Sequence, residues 1–478
     1  MREQPLELEG PLSGDAFLML GKVDLEAAGY VSEEWFFSST ATSYELEGEA
    51  GADGQWQARP AKREGFKTRL VVRRPVDPTR CNGSVYVEWL NVSGGLDAAP
   101  DWLFLHRHLI REGAIWVGVS AQKAGIDGGG LLPGMPLKKA SAARYGSLVH
   151  PGDAYAFDIF SAVARGLRAQ GFGPLGGLPA ERVIAIGESQ SAGFLVTYAN
   201  AIDPIEQCFD GFLIHGRPGR AAGIDGNYIR APRGGQLSDL GAFKTVGHRI
   251  REDVRVPVLT FESETDVVGL GGGQARQPDT ALFRLWELAG ASHFDTYGLV
   301  ASMIDREGVP VQDLAMAMTP TDKPMGIPAE SPINSGPQQH YVLGAALSHL
   351  DRWVCDGTPP PHAPRLESTD ESGSELVRDE LGIAKGGIRT PWVDAPSAVL
   401  SGTAPGGEGF AFLLGRTQPL DEATLARLYP GGSEEHRSRF EAATAKAVAA
   451  GFLLKADADE INALARTGLQ PSGWTKEG

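Results

Sequence analysis

Between Ser84 and Trp286 short apolar runs rich in β-branched residues alternate with longer stretches whose apolar positions recur at helical spacing. The runs are Ser84–Trp89, Ala114–Val119, Arg182–Ile186, Gly211–Ile214, Val256–Phe261 and Phe283–Glu287. Helical patterns over Trp102–Arg111 and Asp153–Gln170 separate them, the second with Asp153 and Asp158 near its start, where carboxylates suit the helix dipole. This alternation predicts a mostly parallel sheet flanked by helices. Upstream, Tyr30–Phe37 and Lys67–Arg73 read as strands of an antiparallel edge on that sheet.

Two segments break the rhythm. Arg217–Arg249, rich in Gly, Arg and polar residues, is far longer than an ordinary connection, and Phe294–Gln339 is a second such insert, so each is expected to be either a functional lid or a disordered insert. A helical stretch at Tyr341–Trp353 ends at Gly357-Thr358-Pro359-Pro360-Pro361, which stiffens the chain. The expected division is therefore a catalytic unit over 1–365, with insertions near 217–249 and 294–339, and an extension over 366–478. The extension carries amphipathic patterns at Asp421–Leu428 and Glu434–Ala449, which predicts that it packs on the core.

Composition narrows the function classes. With 60 acidic against 44 basic residues, a net charge of -16 and no basic run, the chain lacks the cations a nucleic acid would require. The stretch Met1–Gly10 is polar and acidic, unlike a secretory leader, and no uninterrupted apolar run reaches the length of a membrane span, so a cytoplasmic location and no membrane partner are expected. Cys81, Cys208 and Cys355 are too few and too scattered for a disulfide framework or thiolate metal site, and are expected to be buried free thiols. No metal or other cofactor is expected.

The chemistry centres on Val183-Ile184-Ala185-Ile186-Gly187-Glu188-Ser189-Gln190-Ser191, an apolar strand running into a turn of small residues and then a helical stretch. Such an elbow holds its central residue in a strained conformation, and the positions two before and two after must be small for strand and helix to approach. Gly187 and Ser191 meet that need, although the usual pattern has Gly at the later position. Ser189 is thus the expected nucleophile, with the amide of Gln190 as an oxyanion donor. Ser191 is the alternative nucleophile, and a plain N-cap serine the alternative explanation of the turn.

The partners of such a serine follow in the order acid, then histidine. The strand Val256–Phe261 leads into Glu262-Ser263-Glu264-Thr265-Asp266, so Asp266 is the expected acid and Glu264 the runner-up. A second strand leads into Gly290-Ala291-Ser292-His293, and His293, 27 positions after Asp266, is the expected base. His340 and His215 are its rivals, while His106 and His108 sit two apart on one predicted helix and point to different faces. The second oxyanion donor is expected from the loop Leu90–Gly95, at the backbone amide of Asn91 or Val92. The runs Gly128–Gly130 and Gly271–Gly273 lack the context of phosphate cradles and read as flexible loops.

These residues also carry a resemblance. The elements Gly29-Tyr30-Val31-Ser32-Glu33-Glu34, Val87-Glu88-Trp89-Leu90-Asn91-Val92, His150-Pro151-Gly152-Asp153, Gly187-Glu188-Ser189-Gln190-Ser191, Ser263-Glu264-Thr265-Asp266, Gly290-Ala291-Ser292-His293 and Gly386-Gly387-Ile388-Arg389-Thr390-Pro391-Trp392 are similar to those of the bacterial alpha/beta hydrolase domain family. The resemblance implies the α/β-hydrolase fold over nearly the whole chain, the extension included, and ester hydrolysis without a named substrate. The expectation is a serine hydrolase cleaving a small-molecule carboxylic ester or lactone. An acyltransferase or thioesterase with the same three residues is the enzymatic alternative, and a non-catalytic binding protein on the same fold the other.

Overall fold

The computed structural model describes residues 6–19, 21, 23–130, 134–227, 247–326, 328–403 and 409–467. Of the first expected lid, 217–249, the central part 228–246 lies outside the described residues.

Nine strands form one sheet: β1 Glu7–Glu9, β2 Tyr30–Leu46, β3 Ala58–Pro75, β4 Ser84–Trp89, β5 Ile115–Val119, β6 Arg182–Glu188, β7 Gly211–His215, β8 Val258–Ser263 and β9 Phe283–Leu288. Their spatial order is β1-β2-β3-β5-β4-β6-β7-β8-β9. The last six strands in sequence pair in parallel, and β1, β2 and β3 add an antiparallel edge at β5. The edge strands run much longer than their apolar cores, because their outer halves pair with each other beyond the sheet. A small second sheet pairs β10 Ala398–Ser401 with β11 Arg416–Pro419.

Side chains alternate across the parallel strands and split the interior into two layers. Val85, Val87, Val183, Ala185 and Ile214 face one layer, filled by Phe157 and Phe160 of helix α2 (Ala156–Arg168) and Phe194 and Leu195 of α3 (Gln190–Thr197). Tyr86, Ile184, Ile186, Leu213 and Leu259 face the other. That layer holds Leu105 and Leu109 of α1 (Pro100–Glu112) and Leu343 and Leu347 of α4 (Gln338–Asp356). In the first layer Trp89 stacks on Phe194, ring centroids 4.9 Å apart, which ties the end of β4 to the helix after β6.

The extension joins the second layer. Phe440 and Ala447 of α5 (Gly432–Ala449) and Ile461 and Leu464 of α6 (Ala458–Arg466) belong to the same apolar cluster as Trp286 and Leu288. It also covers the outer edge of β9, where Ile388 donates to Glu287 O at 2.7 Å and accepts from Ala289 at 3.1 Å. An uncovered edge would offer unpaired backbone groups to other chains. In the insert 294–339, Tyr297 and Leu314 are buried in this layer, and Tyr297 stacks on His340 at 4.1 Å.

Two expectations need correcting. Gly271–Gly273 is no flexible loop but a tight turn wedged against its neighbours: a Cβ at Gly272 would stand 2.4 Å from Glu262 Oε2, and one at Gly273 2.4 Å from Ser372 O. The cysteines are free, but only Cys208 is buried; Cys355, near the C-terminus of α4, is exposed.

Candidate active site

The site begins with β6, whose last residue, Glu188, is followed by a sharp reversal into α3. Ser189 sits at that reversal with φ 62° and ψ -119°. Among the described residues only Ser189 and Gln207 are non-glycine residues with positive φ. An L residue in this region is strained, so the surroundings must hold it there. Its N–H donates to His215 O on the neighbouring strand at 2.9 Å, and its carbonyl accepts from Gly193 at 3.2 Å. Strand and helix are in close contact across the turn: a Cβ at Gly187 would lie 3.2 Å from Ser191 Cβ and 3.0 Å from Leu195 Cδ1.

His293, in the loop after β9, reaches over the carboxyl ends of β7 and β8. Its Nε2 lies 2.9 Å from Ser189 Oγ and its Nδ1 2.6 Å from Asp266 Oδ1. The backbone of His293 is fixed from behind, its N–H donating to Thr265 Oγ1 at 3.1 Å and its carbonyl accepting from Gln339 of α4 at 3.2 Å. Asp266 Oδ2 accepts the Ser263 N–H at 2.6 Å, which orients the carboxylate. Glu264, the runner-up acid, is turned away: it accepts from Gly290 N–H at 2.7 Å and Gly402 N–H at 3.1 Å and pairs with Arg378 at 3.1 Å. It thereby anchors the extension to the loop that carries His293.

The rival histidines are occupied. His215 Nδ1 pairs with Asp101 at 2.8 Å, His106 Nε2 contacts Asp305 O at 2.8 Å, and His340 Nδ1 contacts Phe104 O at 2.5 Å. Burial pushes His106 down to about 4, His108 to about 3 and His340 well below the ordinary imidazole value. These three are neutral packing residues. Ser191 Oγ, the alternative nucleophile, is buried with no hydrogen-bonding partner.

Of the oxyanion candidates, the Asn91 amide is not free: it donates to Ala98 O at 2.9 Å, because Asn91 and Ala98 form a two-residue bridge closing the loop. Val92 N–H faces Gln190 Oε1 at 3.5 Å, a long contact. Gln190 opens α3, where a backbone N–H has no partner within the helix. Its side chain is held by Gln122, which also receives the Trp89 indole N–H. The loop itself is set by Glu88, whose carboxylate accepts both the Asp101 and Trp102 N–H groups at 3.0 Å and so caps α1.

One further residue meets the imidazole without any assignment from its sequence position. Glu188, beside the serine and 4% exposed, brings Oε1 to 3.0 Å from His293 Nε2, while Asn91 Nδ2 donates to the Glu188 carbonyl at 3.1 Å. Burial alone would push the His293 ring toward neutrality. The carboxylates of Glu188 and Asp266 more than offset this and lift its pKa to about 10. Nothing in the spacing of an elbow says where the residue before the serine points, so no signal in the sequence could have assigned it.

Among the described residues no group of three or more His, Cys, Asp and Glu side chains could hold a metal ion, and no helix is long and apolar enough to cross a membrane. A family model described as alpha/beta hydrolase domain matches residues 4–463. No curated protein matches the sequence. Solved structures with similarity include a thermostable esterase from Pseudomonas putida, at 14% identity over 51% of this chain and 66% of that one, TM-score 0.25. Acetyl xylan esterase 1 from a Thermoanaerobacterium species matches at 14% identity over 46% of this chain and 73% of its own, TM-score 0.25. An esterase from the fungus Rhizomucor miehei matches at 12% identity over 48% and 66%, TM-score 0.24.

Proposed function

Because the chain belongs to the alpha/beta hydrolase domain family, we propose that it is a serine hydrolase cleaving a small-molecule carboxylic ester or lactone through an acyl-enzyme. The observation that carries this reading is the strained Ser189, whose hydroxyl lies 2.9 Å from an imidazole that in turn meets a buried carboxylate at 2.6 Å.

In the first half-reaction the Ser189 proton passes to His293 Nε2 as Oγ bonds to the ester carbon. Asp266, at Nδ1, keeps the ring in the right tautomer and stabilises the imidazolium. The carbonyl oxygen gains negative charge, and the amides of Gln190 and Val92 are the donors available to it; each such donor contributes about 3 kcal/mol to a typical reaction of this kind. The tetrahedral intermediate then breaks its bond to the alcohol oxygen, which takes the Nε2 proton. With a lactone the alcohol stays tethered to the acyl group. Water repeats the sequence: it gives a proton to Nε2, adds to the acyl carbon, and Ser189 Oγ leaves with that proton, releasing the carboxylic acid.

The test is Ser189→Ala. The variant is expected to lose turnover of a p-nitrophenyl ester and labelling by a fluorophosphonate. Full labelling of the variant would refute the assignment, and failure of the wild type to be labelled would favour a non-catalytic role for the fold. Added alcohol in the wild-type assay separates hydrolysis from acyl transfer by the product formed.

A further inference from the structure

His293 Nε2 is approached by two oxygens, Ser189 Oγ at 2.9 Å and Glu188 Oε1 at 3.0 Å. Apart from this nitrogen, Glu188 Oε1 has no hydrogen-bonding partner, and the side chain is buried. In the tautomer that catalysis needs, Nδ1 carries its proton toward Asp266 and Nε2 presents a lone pair. That lone pair would face a carboxylate oxygen at contact distance, and two acceptors cannot face each other in a buried site without a proton between them.

We infer that Glu188 is a positioning residue that acts through His293, its carboxylate holding a proton on His293 Nε2 in the resting enzyme and so delaying the free base until alkaline pH. The inference deepens the proposed function, since the base so controlled is the one that activates Ser189. That proton leaves the ring as pH rises, after which Nε2 is free to take the proton of Ser189. Activity therefore climbs with pH well past the range in which an unperturbed imidazole has already lost its proton. The raised value of His293 agrees in direction.

The other ionisable groups around the ring are committed elsewhere. On the β7 side, His215 pairs with Asp101 of α1 and Arg217 binds the carbonyls of Pro218 and Gly219. After β8, Glu264 is bound to Arg378; in the His293 loop, Asp295 accepts the Gly298 N–H and is raised by burial to about 7. Asp266 faces the other ring nitrogen and is common to every hydrolase of this design, so it cannot account for an oxygen at Nε2.

The experiment is an NMR titration of the His293 ring in the wild type, Glu188→Gln and Glu188→Asp, run beside the pH profile of kcat/KM on a p-nitrophenyl ester. Gln matches Glu in shape without charge and can donate to Nε2. The expected result is a Glu188→Gln midpoint at least one pH unit below the wild type, a tenfold change in proton affinity, with the low-pH limb of kcat/KM moving the same way and Glu188→Asp returning toward the wild type. A purely structural Glu188 would alter the amplitude of the rate and leave the midpoint in place, which overturns the inference. A wild-type midpoint near the unperturbed imidazole value overturns it too, whether or not the variants fold. The ring titration needs no turnover, so a displaced midpoint without esterase activity would refute the proposed function alone, and turnover with an undisplaced midpoint would refute this inference alone.

Discussion

Gly216 gives a sharp test of the site because it bears on the ring without touching any reacting atom. It follows β7 with φ 60°, and a Cβ there would lie 3.2 Å from both Cε1 and Nδ1 of His293 and 3.6 Å from Asp266 Oδ1. Gly216→Ala carries two separable costs. A left-handed backbone costs an L residue about 1–2 kcal/mol, which lowers stability. The methyl group also stands a few tenths of an ångström too close to a ring fixed at 2.6 Å to Asp266 on one side and 2.9 Å to Ser189 on the other. The ring must give way, and since a 1 Å error in a reacting geometry costs about a hundredfold, a shift of about 0.3 Å is worth about fourfold. The expected outcome is about a fourfold fall in kcat with KM little changed, together with about 1–2 kcal/mol lost in urea denaturation. Steady-state rates on a p-nitrophenyl ester at a pH where the wild type is fully active read the first effect, and equilibrium unfolding the second. An unchanged kcat in a variant with the expected loss of stability would show that the ring position does not limit the chemistry, and the reasoning would fail.

Four further outcomes follow from the structure. Asp266→Asn should lower kcat by about four orders of magnitude with little effect on KM, whereas Glu264→Ala should cost about 2–3 kcal/mol of stability by taking the carboxylate partner from Arg378 and the acceptor from two backbone N–H groups while the folded fraction keeps most of its rate; the reverse pattern in rate assays would exchange their roles. Ser191→Ala removes a buried hydroxyl without a partner and should leave the enzyme active and about 1 kcal/mol more stable, while loss of activity would return Ser191 to consideration as the nucleophile. Glu262 is buried and its pKa is raised by that burial to about 8; the folded state therefore binds a proton that the unfolded chain has lost, so this residue's stabilising effect is complete below about 4.5 and disappears as pH rises to about 8. Glu262→Gln should flatten that part of the stability profile, read by denaturant melts from pH 5 to 9, and an unaltered slope would refute it.

The six parallel strands were legible because each is a short apolar run between helical patterns, and burial on both faces leaves a strong local imprint in sequence. Ser189 was legible for a related reason: an elbow needs small residues at fixed offsets, so its geometry is written in neighbours along the chain. The long edge strands were only half visible, since the outer parts of β2 and β3 are polar and owe their pairing to each other.

What the sequence determined by itself is therefore everything enforced by local period and turn chemistry: the alternating core, the strained serine, and the strand-loop positions of an acid and a histidine. Tertiary structure alone decided which of Asp266 and Glu264, two carboxylates two residues apart, faces the imidazole, because that depends on the turn after β8 and on Arg378, more than a hundred positions away. It also decided that the Asn91 amide is spent on Ala98, and that Glu188 meets the second nitrogen of the ring. Such choices are made by distances between residues remote in sequence, and no periodicity records them.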